Sequence, residues 1–257
     1  MGGCCRAPAS TLSQNTSLAT TSKNLETQLK LDIRSQPDDT TCGPTCLHAV
    51  YRYYGDDIGL SQIIREVPSL EEGGTLGVLL GIHALGRGYM VRLTTYNLHL
   101  FDPTWFAEPT DLVEKLRQQM RHKSDPKFRL ASEAYISFLN LGGIVGFQDL
   151  SPSLIRKYLK KSVPVLTGLS STYLYQHARE FGPECDHDDI RGVPTGHFVV
   201  LSGYDREQQQ VLVSDPLAEN PYSRDQKYLV RIERLICAIL LGIVTYDANL
   251  LIIEPHP

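Results

Sequence analysis

The sequence predicts an α+β protein in which a helical half is followed by an antiparallel sheet half. Three observations carry that prediction. Apolar residues recur at helical spacing over 45–54, 76–85, 111–122 and 130–140. Apolar, β-branched runs bounded by polar turns dominate the last third, at 197–204, 211–215, 228–232 and 249–254. The chain of 257 residues, 42% of them apolar, is long enough to bury a large core.

Taken in order, residues 1–28 are rich in Ser, Thr, Ala, Asn and Gln and lack periodicity. They read as a mobile tail ahead of a domain spanning 29–257. No apolar h-region marks a secretory signal. Gly2 suits myristoylation, but Arg6 stands where Ser or Thr is wanted, and acylation of Cys4 or Cys5 is a minor alternative. Leu29 to Ile33 alternates as a short strand. The stretch from Gln36 to Cys46 is a turn-rich loop that runs into a helix: Asp38, Asp39, Thr40 and Thr41 favour turns and caps, and Pro44 suits a helix entry. Cys46, Leu47, Val50 and Tyr54 then keep helical spacing, and Gly55 is a stop.

A short helix is expected over 60–67, and a loop over 71–75 leads into a helix ending near Leu85. His83 in that helix reads as a helix-surface or core-edge residue. Tyr89 to Tyr96 alternates as a strand. Trp105 and Phe106 read as an aromatic anchor for a long loop more readily than as cleft-lining residues. Ser151 is a good cap for a helix over 152–161, and 163–168 is a buried strand with Pro164 at its start. Residues 172–196 form a long polar connection of the kind that serves as a lid. A strand near 228–232, a helix over 233–242 and a strand over 249–254 complete the order.

The chemistry lies at the two ends of this plan. Cys42 falls at a helix N-terminus, where partial positive charge favours a thiolate. Gln36 lies six residues upstream, close enough to aim an amide at the same place. A nucleophile at a helix start with an amide donor beside it is the front half of an acyl-transfer site. Such a site also needs a histidine base and a group to orient it. His197 opens the strand Gly196–Tyr204, and Asp215 closes the strand Val211–Ser214 after the polar turn 205–210. In an antiparallel pair the start of one strand adjoins the end of the next, so His197 and Asp215 are expected to meet. Singly, each residue has a plainer reading: a helix-capping thiol, a turn at Asp215-Pro216, a surface amide. Only the set is informative.

Gln36 with Cys42-Gly43-Pro44, then His197 heading an apolar strand, then Asp215-Pro216, resembles the C39 cysteine peptidase family and its stand-alone bacterial relatives, within the papain-like superfamily. The likeness extends over roughly residues 30–220. Further points of likeness are Thr172-Tyr173-Leu174-Tyr175 and Asp189-Ile190-Arg191-Gly192. It implies a papain-like fold and a cysteine peptidase with Cys42 as nucleophile, His197 as base, Asp215 as its orienting group and Gln36 in the oxyanion hole. The implied partner is a peptide or protein substrate, with no cofactor. The double-glycine preference of transporter-linked members is not carried over, because its pocket residues are not recognisable here.

Composition narrows the alternatives. A net charge of −4 gives no basic stripe for nucleic acid. The longest apolar run, 235–246, is too short to span a bilayer. Six cysteines without regular spacing suggest free thiols and a cytoplasmic setting rather than a disulfide framework. Cys46, one turn past Cys42, reads as a buried core residue. Cys185-Asp186-His187-Asp188-Asp189 has metal-ligand residue types, but consecutive side chains cannot all turn to one ion, so a solvated acidic lid is expected and no metal. Two other functions stay open at this level: an acyl transferase or transpeptidase passing the acyl group to an amine or thiol, and a non-catalytic peptide-binding protein. Nothing in the sequence fixes oligomeric state.

Overall fold

The structure, a computed structural model, describes residues 25–71 and 73–256. The readings made for Gly2, Cys4 and Cys5, and for most of the tail, lie outside the described residues. Thr27 and Gln28 form β1, and Glu26 just before it is 2.8 Å from Lys160. The elements that follow are α1 (Cys42–Tyr53), α2 (Leu60–Glu66), α3 (Gly77–Gly86), β2 (Tyr89–Thr95), α4 (Leu112–Met120), α5 (Pro126–Asn140), β3 (Ile144–Gly146), α6 (Pro152–Lys160), β4 (Val165–Ser170) and α7 (Ser171–Tyr175). A small hairpin, β5 (Glu180–Phe181) and β6 (Asp186–His187), comes next. Then come β7 (Gly196–Asp205), β8 (Gln210–Ser214), β9 (Lys227–Arg231), α8 (Ile232–Leu241), a 3₁₀ turn (Gly242–Thr245) and β10 (Asn249–Pro255).

Local chemistry sets the helix starts. Asp111, Asp125 and Ser151 each accept a hydrogen bond from a backbone N–H three residues on, at Glu114, Phe128 and Leu154. Pro126 and Pro152 fill the first helical position, where a missing N–H leaves nothing unsatisfied. The Asp125-Pro126 pair starts α5 four residues before the apolar periodicity becomes visible at 130. Trp105 is half-buried in a 3₁₀ turn, edge-on to Phe101 at 6.4 Å, which is the anchoring role expected of it. His83 sits where the helix-edge reading put it, between Tyr51 and Glu66.

One sheet organises the molecule, in the order β3-β2-β10-β4-β7-β8-β9. Among the described strands only the β2–β3 pair is parallel. The strand of the helical half, β2, therefore belongs to the same sheet as the strands of the second half, through β10. Every residue of β4 and all but the first of β7 are buried. Burial of successive residues means that both faces of these central strands are covered, which a sheet with one wet face would not show. α1 packs against β7 and β4, and α8 against β4.

Leu29 to Ile33 keeps its alternating burial, but pairing stops early. Thr27 and Gln28 register with Tyr204 and Gly203, and Leu29 donates to the Ser202 carbonyl at 2.7 Å. From Leu201 onward that edge of β7 is taken by Val165 of β4. A shift in register on β7 between Leu201 and Gly203 marks the handover.

Two glycines fix how closely parts approach. A Cβ on Gly43 would lie 2.8 Å from Thr75, so this residue lets the start of α1 seat against the loop before α3. A Cβ on Gly168 would lie 2.5 Å from the Asp247 carbonyl oxygen, where the chain enters β10. Among the described residues no helix is long and apolar enough to cross a membrane.

Candidate active site

Cys42 is the first residue of α1, as expected, and it is buried. The loop before it is built from its own side chains. Asp38 accepts from the Thr40 N–H and hydroxyl at 2.9 and 2.7 Å, and the Thr41 hydroxyl donates to the Asp38 carbonyl at 3.1 Å. Thr41 provides no side-chain cap, so the first N–H groups of α1 are not taken up by a capping oxygen. Cys46 is fully buried, as expected, and its thiol donates to the Phe198 carbonyl. Burial pushes that thiol well up from its ordinary range.

His197 and Asp215 meet as the strand geometry predicts. β7 and β8 are antiparallel, with Val200 opposite Ser214, which brings the start of β7 to the residue after β8. His197 Nε2 lies 2.8 Å from Asp215 Oδ1, and both side chains are wholly buried. Asp215 Oδ1 also accepts from the Leu217 N–H at 2.9 Å. Its other oxygen, Oδ2, accepts from the hydroxyls of Tyr175 at 2.6 Å and Tyr228 at 2.7 Å. Burial pushes the Asp215 carboxyl up, but the charge of His197 and the hydrogen bonds from His197, Tyr175 and Leu217 outweigh it and hold it below the usual carboxylate value. Tyr228 shifts the other way: burial, then the neighbouring carboxylate, keep its proton on and make it a permanent donor.

The two halves converge on one place. Cys42 shares a pocket with Gly196 and Phe198, the residues on either side of His197. The Gln36 backbone N–H donates to the Pro216 carbonyl at 2.9 Å, which ties the Gln36 loop to the residue after Asp215. Gln36 Nε2 gives one N–H to the Asp38 carbonyl at 3.0 Å. Its Oε1 is buried and accepts no hydrogen bond among the described residues.

Tyr175 and Tyr228 are the members that sequence reasoning did not assign. Tyr175 lies at the end of α7, inside the connection read as a lid, so the first turn of that segment belongs to the support of Asp215. Tyr222 stacks on Tyr228 at 4.7 Å and donates to the Leu174 carbonyl at 2.7 Å, holding α7 from the other side. The β5–β6 hairpin follows. Burial, which dominates, raises the Glu180 carboxyl to about 7, with Asp39 and His197 among the charges acting on it.

One expectation for this segment needs correction. Asp188 is partly exposed, between the exposed His187 and Asp189. It accepts from the N–H groups of Ile190 and Arg191 at 2.9 and 2.8 Å and pairs with the Arg191 guanidinium at 2.5 Å. Those bonds hold its carboxyl at about 2. Cys185 is disulfide-bonded rather than free, whereas Cys42, Cys46 and Cys237 are free thiols. The irregular cysteine spacing carried no signal of that bond, and cysteine usage no longer argues for a reducing compartment.

The family model for C39-like peptidases matches residues 28–234. No curated protein matches the chain. Solved structures with a similar course include a double-glycine-motif protease of a transporter, solved with its leader peptide, at 12% identity over 90% of this chain and 96% of that one, with a TM-score of 0.45. The peptidase domain of Streptococcus ComA, a transporter involved in quorum sensing, is 12% identical over 88% and 99% with a TM-score of 0.41. Xylellain, a cysteine protease from Xylella fastidiosa, is 14% identical over 100% and 96% with a TM-score of 0.42. With the family model spanning most of the chain, and a cysteine-headed helix seated beside a buried histidine–aspartate pair, this chain belongs to the C39-like family of cysteine peptidases.

Proposed function

We propose that the chain hydrolyses a peptide or isopeptide bond in a peptide or protein substrate, with Cys42 as nucleophile, His197 as general base and acid, Asp215 as the orienting carboxylate and Gln36 as an oxyanion donor. The observation that supports this most is the buried 2.8 Å contact between His197 Nε2 and Asp215 Oδ1 beside the pocket that Cys42 lines. With Nε2 turned to Asp215, Nδ1 is the ring nitrogen that takes the Cys42 proton. The sulfur then attacks the substrate carbonyl carbon. The resulting oxyanion is held by the Cys42 backbone N–H and by the Gln36 N–H that Asp38 does not use. The tetrahedral intermediate collapses as the His197 imidazolium protonates the leaving amine, giving a thioester. Water, deprotonated by His197, releases the acid and restores the thiol.

Alkylation reads the first half of this scheme directly. Brief exposure to low iodoacetamide at mildly acidic pH, followed by intact-mass measurement, is expected to modify Cys42 alone. The modification should vanish in Cys42→Ala and slow strongly in His197→Ala. Slow, indiscriminate labelling of several cysteines would refute the activated nucleophile. Gln36→Ala is expected to lower kcat by about 100-fold with unchanged unfolding behaviour, and normal turnover in that variant would remove Gln36 from the scheme.

A further inference from the structure

Cys42 borders a pocket lined both by Gly73, Gly74 and Gly196 and by the larger Leu70 and Phe198. Asp247 also lines it, entering from the turn between the 3₁₀ segment and β10. Asp247 is only 6% exposed. Its Oδ1 accepts a long hydrogen bond, 3.3 Å, from the Gly77 N–H at the start of α3. Among the described residues Oδ2 accepts no hydrogen bond and enters no ion pair. Lys127 lies on the same pocket wall, but its ammonium sits 5.2 Å from the centre of the Tyr246 ring and forms no ion pair with Asp247.

A helix-start role accounts for Oδ1 and for nothing else. Asn or Ser would serve α3 as well without burying an ionisable group. A buried carboxylate with one oxygen uncommitted carries a desolvation penalty that a charged partner relieves. Burial accordingly pushes the Asp247 carboxyl up to about 7, against the lowering effects of Gly77 and Lys127. An acidic substrate group would be repelled here. An apolar one would seal the carboxylate from water with no compensation.

We propose that Asp247 determines specificity: its carboxylate receives a substrate ammonium group in the subsite beside Cys42, an inference that rests on the peptidase reading above. The ammonium has two possible sources, the ε-ammonium of a lysine side chain or the α-ammonium of a peptide N-terminus.

Binding to the unreactive Cys42→Ala protein tests this without any turnover. Three tetrapeptide amides are titrated by calorimetry: acetyl-Gly-Lys-Gly-Gly-amide, acetyl-Gly-norleucine-Gly-Gly-amide, and tetraglycine amide with a free N-terminus. At least one ammonium-bearing peptide is expected to bind about tenfold tighter than the norleucine peptide, and which one it is identifies the source. Adding Asp247→Asn should bring all three to parity. Equal binding of the norleucine peptide, discrimination that survives Asp247→Asn, or no binding of any peptide would each overturn the proposal. The comparison of peptides on the protein with Asp247 intact stands even where the Asn variant folds poorly. Failure of the peptidase reading is seen separately, as absent selective alkylation of Cys42.

Discussion

At the scale of single residues, the site is a carboxylate provided with more donors than orienting a histidine requires. Four groups address Asp215: His197 and the Leu217 N–H at one oxygen, Tyr175 and Tyr228 at the other. Such a carboxylate is fixed in place and kept ionised, so the imidazole beside it has one orientation and one tautomer. The folded state favours the charged form of Asp215, because its carboxyl is held below the usual value. The stabilisation this gives is complete above the unfolded aspartate value of about 3.9 and is lost as pH falls through the lower folded value. Tyr228→Phe removes one donor and brings the folded value closer to the unfolded one, so the stability lost on acidification should be smaller than in the parent and its loss complete at higher pH. The variant is expected to lose about 1–3 kcal/mol at neutral pH, and about tenfold in kcat as the imidazole loosens. Thermal melts between pH 3 and 7, paired with steady-state rates, check both. The core of this site was legible in the sequence because histidine and aspartate stand at the adjoining ends of two strands joined by a short turn. Its tyrosines were not. Tyrosine is an ordinary core residue, and Tyr175 and Tyr228 reach one oxygen only through the tertiary fold. Cys185 was missed because a single disulfide half leaves no pattern of spacing.

At the scale of elements, type and order were readable from periodicity, whereas boundaries followed cues that periodicity does not contain. α5 starts at Pro126 because Asp125 caps it, and pairing of the 27–33 stretch ends at Leu29 because β4 occupies the next position along β7. The polar composition of 172–196 concealed a working helical turn, α7, since five residues are too few to show a period. Contacts between elements were least legible, because they depend on which strands become neighbours. The crossing of β4 with the chain entering β10 is an example. Gly168 leaves no room there for a methyl group. Gly168→Ala is expected to lower stability by about 1–3 kcal/mol through overpacking and to weaken substrate binding by displacing Asp247, with KM rising more than kcat falls. Urea unfolding and Michaelis–Menten analysis of the purified variant distinguish that outcome from a neutral substitution.

At the scale of the whole molecule, β10 joins the two halves. Leu251 lies between Leu93 of β2 and Leu166 of β4, so without β10 the pair β2–β3 has no strand connection to the remaining five strands on its other side. A chain ending at residue 248 should therefore lose its cooperative unfolding transition and its near-UV circular dichroism, and a native-like melt from that truncation would contradict this account of the sheet. Antiparallel pairing between residues more than eighty positions apart, such as Leu166 with Leu251, also predicts slow folding, since distant segments must find each other before either is rewarded. The same arrangement has a consequence for synthesis. β10 follows every other strand of the sheet in the chain, so it is the last of them to leave the ribosome. Until it emerges the nascent chain holds two unjoined pieces of sheet, and Asp247, which borders the Cys42 pocket, arrives only with it. The pocket beside Cys42 therefore gains its last wall residue only once translation has passed this point.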